Sequence, residues 1–353
     1  MGVWSPRGAD LIAPPETMEH RRRPRYPGTN PRRFAHKYKE LDPDHHPETI
    51  AKVLAAGKTP AGSHVPIMVA EALEVLRPRP GDFAVDCTLG YGGHAQAILE
   101  RIAPDGHLLA LDVDPLELPR TEQRLRQAGH SAGQFTATRS NFAGLPAALA
   151  RCGHPGADLI LADLGVSSMQ LDNPERGFSV KTEGPLDLRM NPSRGLSAAQ
   201  WLPKVSAPKL ATVLMANSDE PHAEQIARSL AGRDFATTLE LTAAIRRALP
   251  AVAEEEQELS VRRVFQAIRI EINEEFAALD TFLRILPACL NPGGRVAILS
   301  FHSGEDRRIK KSFQTAHHEG LYREIARRVI RASPEERHDN PRSTSAKLRW
   351  AVR

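Results

Sequence analysis

A glycine-rich turn and an aspartate that follows it form the strongest chemical pattern in this 353-residue sequence. The turn reads Gly90-Tyr91-Gly92-Gly93 and follows an apolar run at 82–87, while Asp112 directly follows a second apolar run at 108–111. Glycines let the backbone approach a ligand closely, and an acid about 20 residues later can accept hydrogen bonds from both hydroxyl groups of a ribose. The spacing therefore indicates a site for an adenosine-containing ligand.

The order of the glycines favours S-adenosylmethionine over a dinucleotide. Dinucleotide sites usually carry the pattern GxGxxG, whereas this turn continues as Gly-Tyr-Gly-Gly-His-Ala. A shorter and more open loop suits a ligand that has no pyrophosphate group. At this point a glycine-rich turn without any ligand, in an ordinary α/β protein, is the alternative.

Asp163 and His94 are two further candidates for chemistry. Asp163 lies near the end of the apolar run 158–164 and before Gly165, where the carboxyl end of a strand would face the ligand crevice of an open sheet. His94 opens the helix that follows the glycine turn. Each residue also has a plainer interpretation, because an aspartate can cap a helix or turn and a histidine can simply pack.

Metal chemistry and membrane insertion are not expected from this sequence. Cys87, Cys152 and Cys289 lack CxxC spacing, and the histidines are scattered, so we predict neither a disulfide framework nor a metal site. No apolar run approaches the roughly 18–20 residues of a membrane span, and the N-terminus lacks the apolar region of a secretory signal. These features favour a reducing, cytoplasmic setting.

Alternating strands and helices are predicted to position the candidate residues. Strands are expected at 82–87, 108–111, 158–164, 295–301 and 346–352, the last as a closing strand. Helices are expected between them, at about 66–77 and 94–102. This alternation indicates an α/β fold built on a parallel sheet.

The middle of the chain has a different pattern. Strand signals vanish between about 172 and 262, and helical patterns occur at 197–204, 206–216, 221–231 and 238–249. We therefore predict an all-helical insertion, 172–262, between two parts of the α/β domain, 64–171 and 263–353. Residues 1–63 are interpreted as a basic, proline-rich, flexible extension.

Charge is distributed unevenly along the chain. The formal net charge is +4, yet residues 1–63 carry 11 basic and 7 acidic side chains, and residues 306–353 carry 13 and 6. The intervening body is acidic, with 23 basic and 30 acidic side chains. Residues 21–39 hold eight Lys or Arg, no acid and three aromatic side chains, which is compatible either with a solvated tail or with an arm that binds RNA phosphates.

Several longer motifs carry a specific resemblance to one family. They are Asp86-Cys87-Thr88-Leu89-Gly90-Tyr91-Gly92-Gly93-His94, Asp163-Leu164-Gly165-Val166-Ser167-Ser168-Met169-Gln170-Leu171-Asp172, Glu175-Arg176-Gly177-Phe178-Ser179, Gly184-Pro185-Leu186-Asp187-Leu188-Arg189-Met190, Phe265-Gln266-Ala267-Ile268-Arg269 and Ser300-Phe301-His302-Ser303. From about residue 64 to 353 the chain resembles the bacterial 16S ribosomal RNA (cytosine-N4)-methyltransferase family. The resemblance offers no interpretation of residues 1–63.

This resemblance implies a fold, a reaction and a set of residues. The fold would be a Rossmann-like class I methyltransferase sheet with an inserted helical subdomain. The reaction would be S-adenosylmethionine-dependent N4-methylation of a cytosine in the decoding centre of the small ribosomal subunit. The residues implied to contact S-adenosylmethionine are Gly92, Gly93, His94, Asp112, Phe142, Asp163 and Gln170. Asp163 is also the candidate catalytic residue, orienting either the methyl donor or the target amine.

The substrate side of the site is a separate hypothesis. Ser167, Ser168 and Phe178 are expected to form the base pocket. Basic residues in the motifs are expected to hold RNA phosphates, namely Arg176, Arg189, Arg263, Arg269, His302 and Arg307. The sequence also departs from the family pattern, with Gly304 and Thr344 in place of a leucine and an arginine.

Two other functions remain open from the sequence. One is an amino-methyltransferase that acts on DNA. The other is a non-catalytic RNA-binding factor in ribosome assembly, against which the intact glycine turn and Asp112 argue. A homodimer is neither predicted nor excluded.

Overall fold

The computed structural model describes Met1 and residues 66–353, so nearly all of the predicted extension 1–63 lies outside the described residues. The strands are β1 Phe83–Asp86, β2 His107–Asp112, β3 Phe135–Arg139, β4 Ala157–Asp163, β5 Leu290–Ser300, β6 Glu324–Ile325 and β7 Lys347–Val352. The helices are α1 Val69–Leu76, α2 Gly93–Ile102, α3 Glu117–Gln127, α4 Leu145–Arg151, α5 Ser168–Asp172, α6 Ala198–Trp201, α7 Ala207–Ser218, α8 Ala223–Leu230, α9 Thr238–Ala248, α10 Glu254–Ile272, α11 Glu275–Ile285, α12 Ser303–His318 and α13 Pro334–Asp339.

The strands form one seven-stranded sheet in the order β3-β2-β1-β4-β5-β7-β6. Strands β1 to β5 are parallel, and β7 runs antiparallel to both β5 and β6. The order reverses between β1 and β4, and ligands of open α/β sheets bind outside the carboxyl ends of the strands at such a switch point. The predicted α/β fold with a mainly parallel sheet is therefore confirmed.

Apolar side chains alternate between two cores, one on each face of the sheet. Val85, Leu109 and Ile160 pack on the face covered by α4, α11 and α12. Their neighbours along the strands face α1, α2 and α3. Strand β3 was not predicted because it lies at the sheet edge, where only Phe135 is fully buried and no continuous apolar run is needed.

The helical insertion forms a third hydrophobic core, and it ends later than the sequence predicted. This core contains residues from Phe178 to Ile268, including Phe265. Helix α10 continues without a break to Ile272, so the predicted boundary at 262 is wrong and 263–272 belong to the insertion. The chain turns back to the sheet at Glu274, whose φ of 53° ends the helical path.

No helix within the described residues is long and apolar enough to cross a membrane.

Candidate active site

Three neighbouring strands each end in an aspartate at the same edge of the sheet. Asp86 ends β1, Asp112 ends β2 and Asp163 ends β4, and these strands lie side by side in the order β2-β1-β4. The parallel pairing therefore brings the three carboxyl groups to the switch point. The sequence reasoning selected Asp112 and Asp163 but missed Asp86, although it occupies the same strand-end position.

The glycine turn is packed so closely that side chains are excluded. A Cβ atom added to Gly92 would lie 2.8 Å from Thr121 Cγ2, and one added to Gly93 would lie 2.6 Å from Pro66 Cγ. Gly92 also has a φ of 86°, which favours glycine. Helix α2 begins at Gly93 with no side chain capping it, so its first turn presents backbone N–H groups that suit a carboxylate.

Asp112 fixes this turn to the second strand. Its carboxylate accepts hydrogen bonds from the backbone N–H of Gly90 at 2.8 Å and from that of Asp114 at 2.9 Å. Burial raises the pKa of Asp112, and the two backbone hydrogen bonds oppose this rise. Each carboxylate oxygen has a further lone pair that can accept a ribose hydroxyl.

A cavity of about 470 Å³ opens beside these strand ends. Asp112, Asn141 and Phe142 lie on its sheet side, and Leu164 and Gly165 continue this wall. The opposite wall comes from the helical insertion, at 190–191, 194–195 and 272, and from the segment 273–275 that follows it. The volume falls within the range of sites that enclose small organic ligands. Because residues of both the sheet and the insertion line the cavity, both parts are needed to form it.

Asp163 lies beside His94, with 3.7 Å between Asp163 Oδ2 and His94 Nε2. Its backbone N–H donates to the Thr88 hydroxyl at 2.6 Å. Burial, together with the charges of Asp86 and Glu305, raises the pKa of Asp163 to about 8. The carboxyl group of Asp163 therefore gains or loses its proton near pH 8.

Asp86 is more deeply buried than Asp163. Only 1% of its surface is exposed, and burial with the charge of Asp112 raises its pKa to about 7. Asp86 Oδ2 and Asp163 Oδ1 have no hydrogen-bond partner among the described residues. Buried carboxyl oxygens without partners, next to the glycine turn and Asp112, fit a ligand that supplies hydrogen-bond donors and a positive charge, as S-adenosylmethionine does. No cluster of metal-binding side chains occurs in the described part of the chain.

The buried charge of Asp86 leads to a prediction about stability. Because its folded-state pKa lies above its ordinary value, the folded protein holds this proton more tightly, and the free energy of unfolding should fall as pH rises from about 4 to about 7. We expect Asp86→Asn to remove this dependence, so the variant should gain about 3 kcal/mol relative to the native protein between pH 5 and pH 8. Urea unfolding at both pH values measures the gain.

The pH-dependent part of this difference is the informative quantity, because the packing of the new amide does not change with pH. Asp105→Asn, at an exposed turn, is the matched control and should give no comparable change. A difference between Asp86→Asn and the native protein that stayed constant from pH 5 to pH 8 would contradict the assignment.

Gln170 belongs to a buried network behind the cofactor side of the site. Its side-chain amide donates to Asp114 Oδ2 at 2.8 Å, and its carbonyl oxygen accepts from the backbone N–H of Ser167 at 2.9 Å. Arg176 Nη1 donates to the same Asp114 oxygen at 2.7 Å. The described contacts of Gln170 therefore hold the chain between β4 and α5, and its contact with S-adenosylmethionine stays a prediction.

Two residues predicted for the substrate side are buried, so these predictions are wrong. Arg176 is 6% exposed, and its guanidinium donates hydrogen bonds to Asp114 and to the carbonyl oxygens of Arg189 and Met190. Phe178 is also 6% exposed and packs in the core of the insertion. Neither can meet an RNA phosphate or base in this arrangement, because the insertion folds over both.

Two further residues of the predicted RNA-binding set have acidic partners within the protein. Arg269 forms a two-pronged pair with Glu275, at 2.8 and 3.0 Å, and only 15% of its side chain is exposed. His302 caps α12 and lies 3.1 Å from Glu305. The Arg269–Glu275 pair joins α10 to α11, whereas the His302–Glu305 contact lies within the start of α12. The phosphate-binding prediction is therefore wrong for Arg269 and unsupported for His302.

The remaining predicted residues are more accessible. Arg263 is about one-third exposed and pairs with Glu256, and Arg307 is more than half exposed beside Asp219. The Ser167 hydroxyl caps α5 by accepting the N–H of Gln170, and Ser168 begins that helix. RNA contacts at these four positions stay predictions.

The fold and the site together define the class of this protein. A doubly wound sheet with a closing antiparallel strand, a glycine turn and an aspartate bound to that turn at the switch point is typical of Rossmann-like S-adenosylmethionine-dependent methyltransferases, the class to which this protein belongs. The profile of the MraW methylase family matches residues 61–353, and the chain belongs to this family. The family resemblance, the fold and the methyl donor predicted from the sequence are confirmed.

Individual relatives are similar over different lengths. The chain is 50% identical to "Ribosomal RNA small subunit methyltransferase H 2" of Alkaliphilus metalliredigens, over 95% of this chain and 98% of that protein. It is 40% identical to "Ribosomal RNA small subunit methyltransferase H" of Dehalococcoides mccartyi, over 82% and 86%. Among solved structures, TrmN from Thermus thermophilus is similar at 14% identity with a TM-score of 0.39, over 81% of this chain and 48% of that chain.

These lengths correct the interpretation of residues 1–63. The family profile begins at residue 61, but the alignment with the Alkaliphilus protein covers 95% of the chain and must therefore include most of the N-terminal segment. The segment is thus shared with that relative, and the expectation that the family offers no counterpart is wrong.

Proposed function

We propose that this protein transfers a methyl group from S-adenosylmethionine to N4 of a cytosine in 16S ribosomal RNA, at the decoding centre of the small ribosomal subunit in the cytoplasm. The observation that carries the proposal is the cavity of a MraW-family methyltransferase in which the strand-end Asp112, together with Phe142, lies opposite residues of the helical insertion. The relatives reported above carry the name of a ribosomal RNA small-subunit methyltransferase, which supports the choice of substrate.

S-adenosylmethionine supplies the methyl group on a sulfonium centre, and the protein has to align that centre with the target nitrogen. Transfer is an in-line displacement that depends mainly on proximity and orientation. Asp112 holds the glycine turn and offers its lone pairs to a ribose, and Phe142 borders the adenine side of the cavity. The first turn of α2 offers N–H groups to a carboxylate. These contacts fix the donor at both ends.

Asp163 acts on the amine. The lone pair of a cytosine N4 is delocalised into the ring, so the nitrogen is a poor nucleophile. A carboxylate that accepts an N–H hydrogen bond favours the pyramidal nitrogen that forms in the transition state. Asp163 is a suitable acceptor because it ends β4 at the switch point and is ionised above pH 8.

The target base must leave its stack to reach this position. Enzymes that modify a base extrude it into a pocket or act on unpaired nucleotides. The insertion residues that border the cavity provide the wall for such a base, opposite Asp112 and Phe142.

Labelled S-adenosylmethionine tests the proposal directly. The protein is incubated with small ribosomal subunits, with protein-free 16S rRNA and with DNA, and the modified nucleotide is mapped. We expect label on cytosine N4 in the subunit or its RNA. Label on DNA would favour the alternative amino-methyltransferase, and no label on any substrate would favour a non-catalytic factor; either result would overturn the proposal.

A further inference from the structure

One stretch of the helical insertion forms the substrate-facing wall of the cavity and is held unusually firmly. We call residues Leu188–Gly195 the wall loop. Leu188 has a φ of 63°, a left-handed conformation that is costly for a bulky side chain. Such strain persists only when the surroundings fix it, and the contacts of the wall loop show how.

Two side chains from outside the wall loop fix it. Asn273 accepts the backbone N–H of Met190 at 2.7 Å and donates to the carbonyl oxygen of Leu188 at 2.8 Å. Arg176 donates to the carbonyl oxygens of Arg189 and Met190, at 3.2 and 2.9 Å, while its other end is paired with Asp114. The wall loop is therefore tied both to the end of α10 and to the cofactor side of the site.

Arg189 closes the loop on itself. Its guanidinium pairs with Asp187 through two contacts of 2.7 Å and donates to the carbonyl oxygen of Gly195 at 3.2 Å. Asp187 neutralises the charge of Arg189, so the Arg189 side chain is not free to bind a phosphate as the sequence predicted. In this closed loop, Arg194 lines the cavity.

Arg194 is the one cationic side chain that lines the cavity in the described part of the chain. It is exposed, and no hydrogen bond or ion pair joins its guanidinium to the other described residues. Four acids also line the cavity, namely Asp112, Glu274, Glu275 and Glu305. Glu275 is paired with Arg269, Glu305 lies 3.1 Å from His302, and Glu274 is exposed. None of these acids forms an ion pair with Arg194, so its positive charge is available to a ligand.

We propose that Arg194 binds a phosphate of the target RNA strand beside the extruded cytosine. This inference rests on the proposed function and names a contact by which the cavity would hold its substrate. An arginine fork matches two phosphate oxygens, and an extruded nucleotide needs its backbone held in register while its base enters the pocket.

The carboxylate of S-adenosylmethionine is the competing anion for Arg194. That carboxylate already has donors at the uncapped first turn of α2, on the sheet side of the site. Arg194 lies on the insertion wall and is open to solvent. These placements assign the buried anion site to the cofactor and the exposed one to RNA.

The test compares Arg194→Ala, Arg194→Lys and the native protein. Binding of small ribosomal subunits or 16S rRNA is measured in the presence of S-adenosylhomocysteine, which prevents turnover, over a series of salt concentrations. S-adenosylmethionine binding is measured separately by calorimetry. We expect Arg194→Ala to weaken RNA binding about tenfold and to lower the salt slope by about one phosphate contact, with unchanged S-adenosylmethionine affinity. Arg194→Lys should retain part of the affinity.

Arg228→Ala is the matched control, because Arg228 is an exposed arginine on α8 that does not line the cavity. RNA binding by this control should match the native protein. Reduced affinity for S-adenosylmethionine with native RNA binding would overturn the inference and assign Arg194 to the cofactor carboxylate. Native behaviour in both assays would overturn it as well, leaving Arg194 a solvated side chain. If the native protein labels no RNA at all, the proposed function fails first.

Discussion

Replacing Asp163 with asparagine is expected to lower kcat for methyl transfer by about 100-fold or more, the size of effect typical of a positioned proton acceptor. The asparagine keeps the shape of the side chain but offers only one carbonyl oxygen and adds an N–H group that opposes the N4 hydrogen of cytosine. Single-turnover transfer of labelled methyl groups to small subunits measures the change.

The pH dependence gives this prediction a second and independent readout. The pKa of Asp163 is raised to about 8 by burial and by the charges of Asp86 and Glu305, so the carboxyl group is mostly protonated at pH 7 and becomes an acceptor above pH 8. For the native protein kcat/KM should therefore rise about tenfold per pH unit below pH 8 and level off above it. The Asp163→Asn variant should show no such rise.

A control separates this effect from a general loss of acid groups. Asp219→Asn changes an exposed aspartate on the helical insertion that contacts Arg307 and Ser303 but does not line the cavity, and it should leave kcat unchanged. Native kcat in Asp163→Asn would refute the role of Asp163 in the reaction. A variant that lost S-adenosylmethionine binding but regained native kcat at saturation would assign Asp163 to the methyl donor rather than to the amine.

Replacing Arg176 with methionine is expected to lower the free energy of unfolding by about 3–5 kcal/mol. Arg176 is buried, and its partner Asp114 has a side chain only 1% exposed. Removing the guanidinium leaves that carboxylate without its counter-charge and removes the hydrogen bonds to the wall loop at Arg189 and Met190. Urea unfolding measures the loss.

Two companion variants show whether the buried charge is the cause. Arg246→Met breaks an ion pair with Glu258 that is largely open to solvent, and should cost less than about 1 kcal/mol. Adding Asp114→Asn to Arg176→Met should restore part of the lost stability, because it removes the uncompensated charge. A cost for Arg176→Met no larger than that for Arg246→Met would contradict the prediction.

Most of the sheet could be predicted from the sequence because its signals are local. The apolar runs at 82–87, 108–111 and 158–164 correspond to β1, β2 and β4, with ends that differ by one residue. The edge strand β3 was missed because it is only partly buried and so lacks an apolar run. The insertion was recognised, but its end was placed too early because helix α10 continues past 262 as one amphipathic unit.

Some residues of the candidate site could likewise be predicted from the sequence, and others could not. The glycine turn, Asp112 and Asp163 were identified because their spacing along the chain follows from strand–turn–helix geometry. Arg176 and Phe178 were misplaced because burial depends on distant residues; Arg176 meets Asp114, 62 positions away in the sequence. Asp86 and Arg194 were not selected, although Asp86 shares the strand-end position of the other two aspartates.

The sequence by itself determined the α/β fold, the family and the S-adenosylmethionine side of the site. Only the tertiary structure decided which charges remain available. Arginine looks the same in every motif, yet Arg176 and Arg269 are neutralised in buried pairs while Arg194 stands open at the cavity. The physical reason is that an apolar run fixes a strand locally, whereas the energy of a charge depends on partners and solvent that the fold brings together from distant parts of the chain.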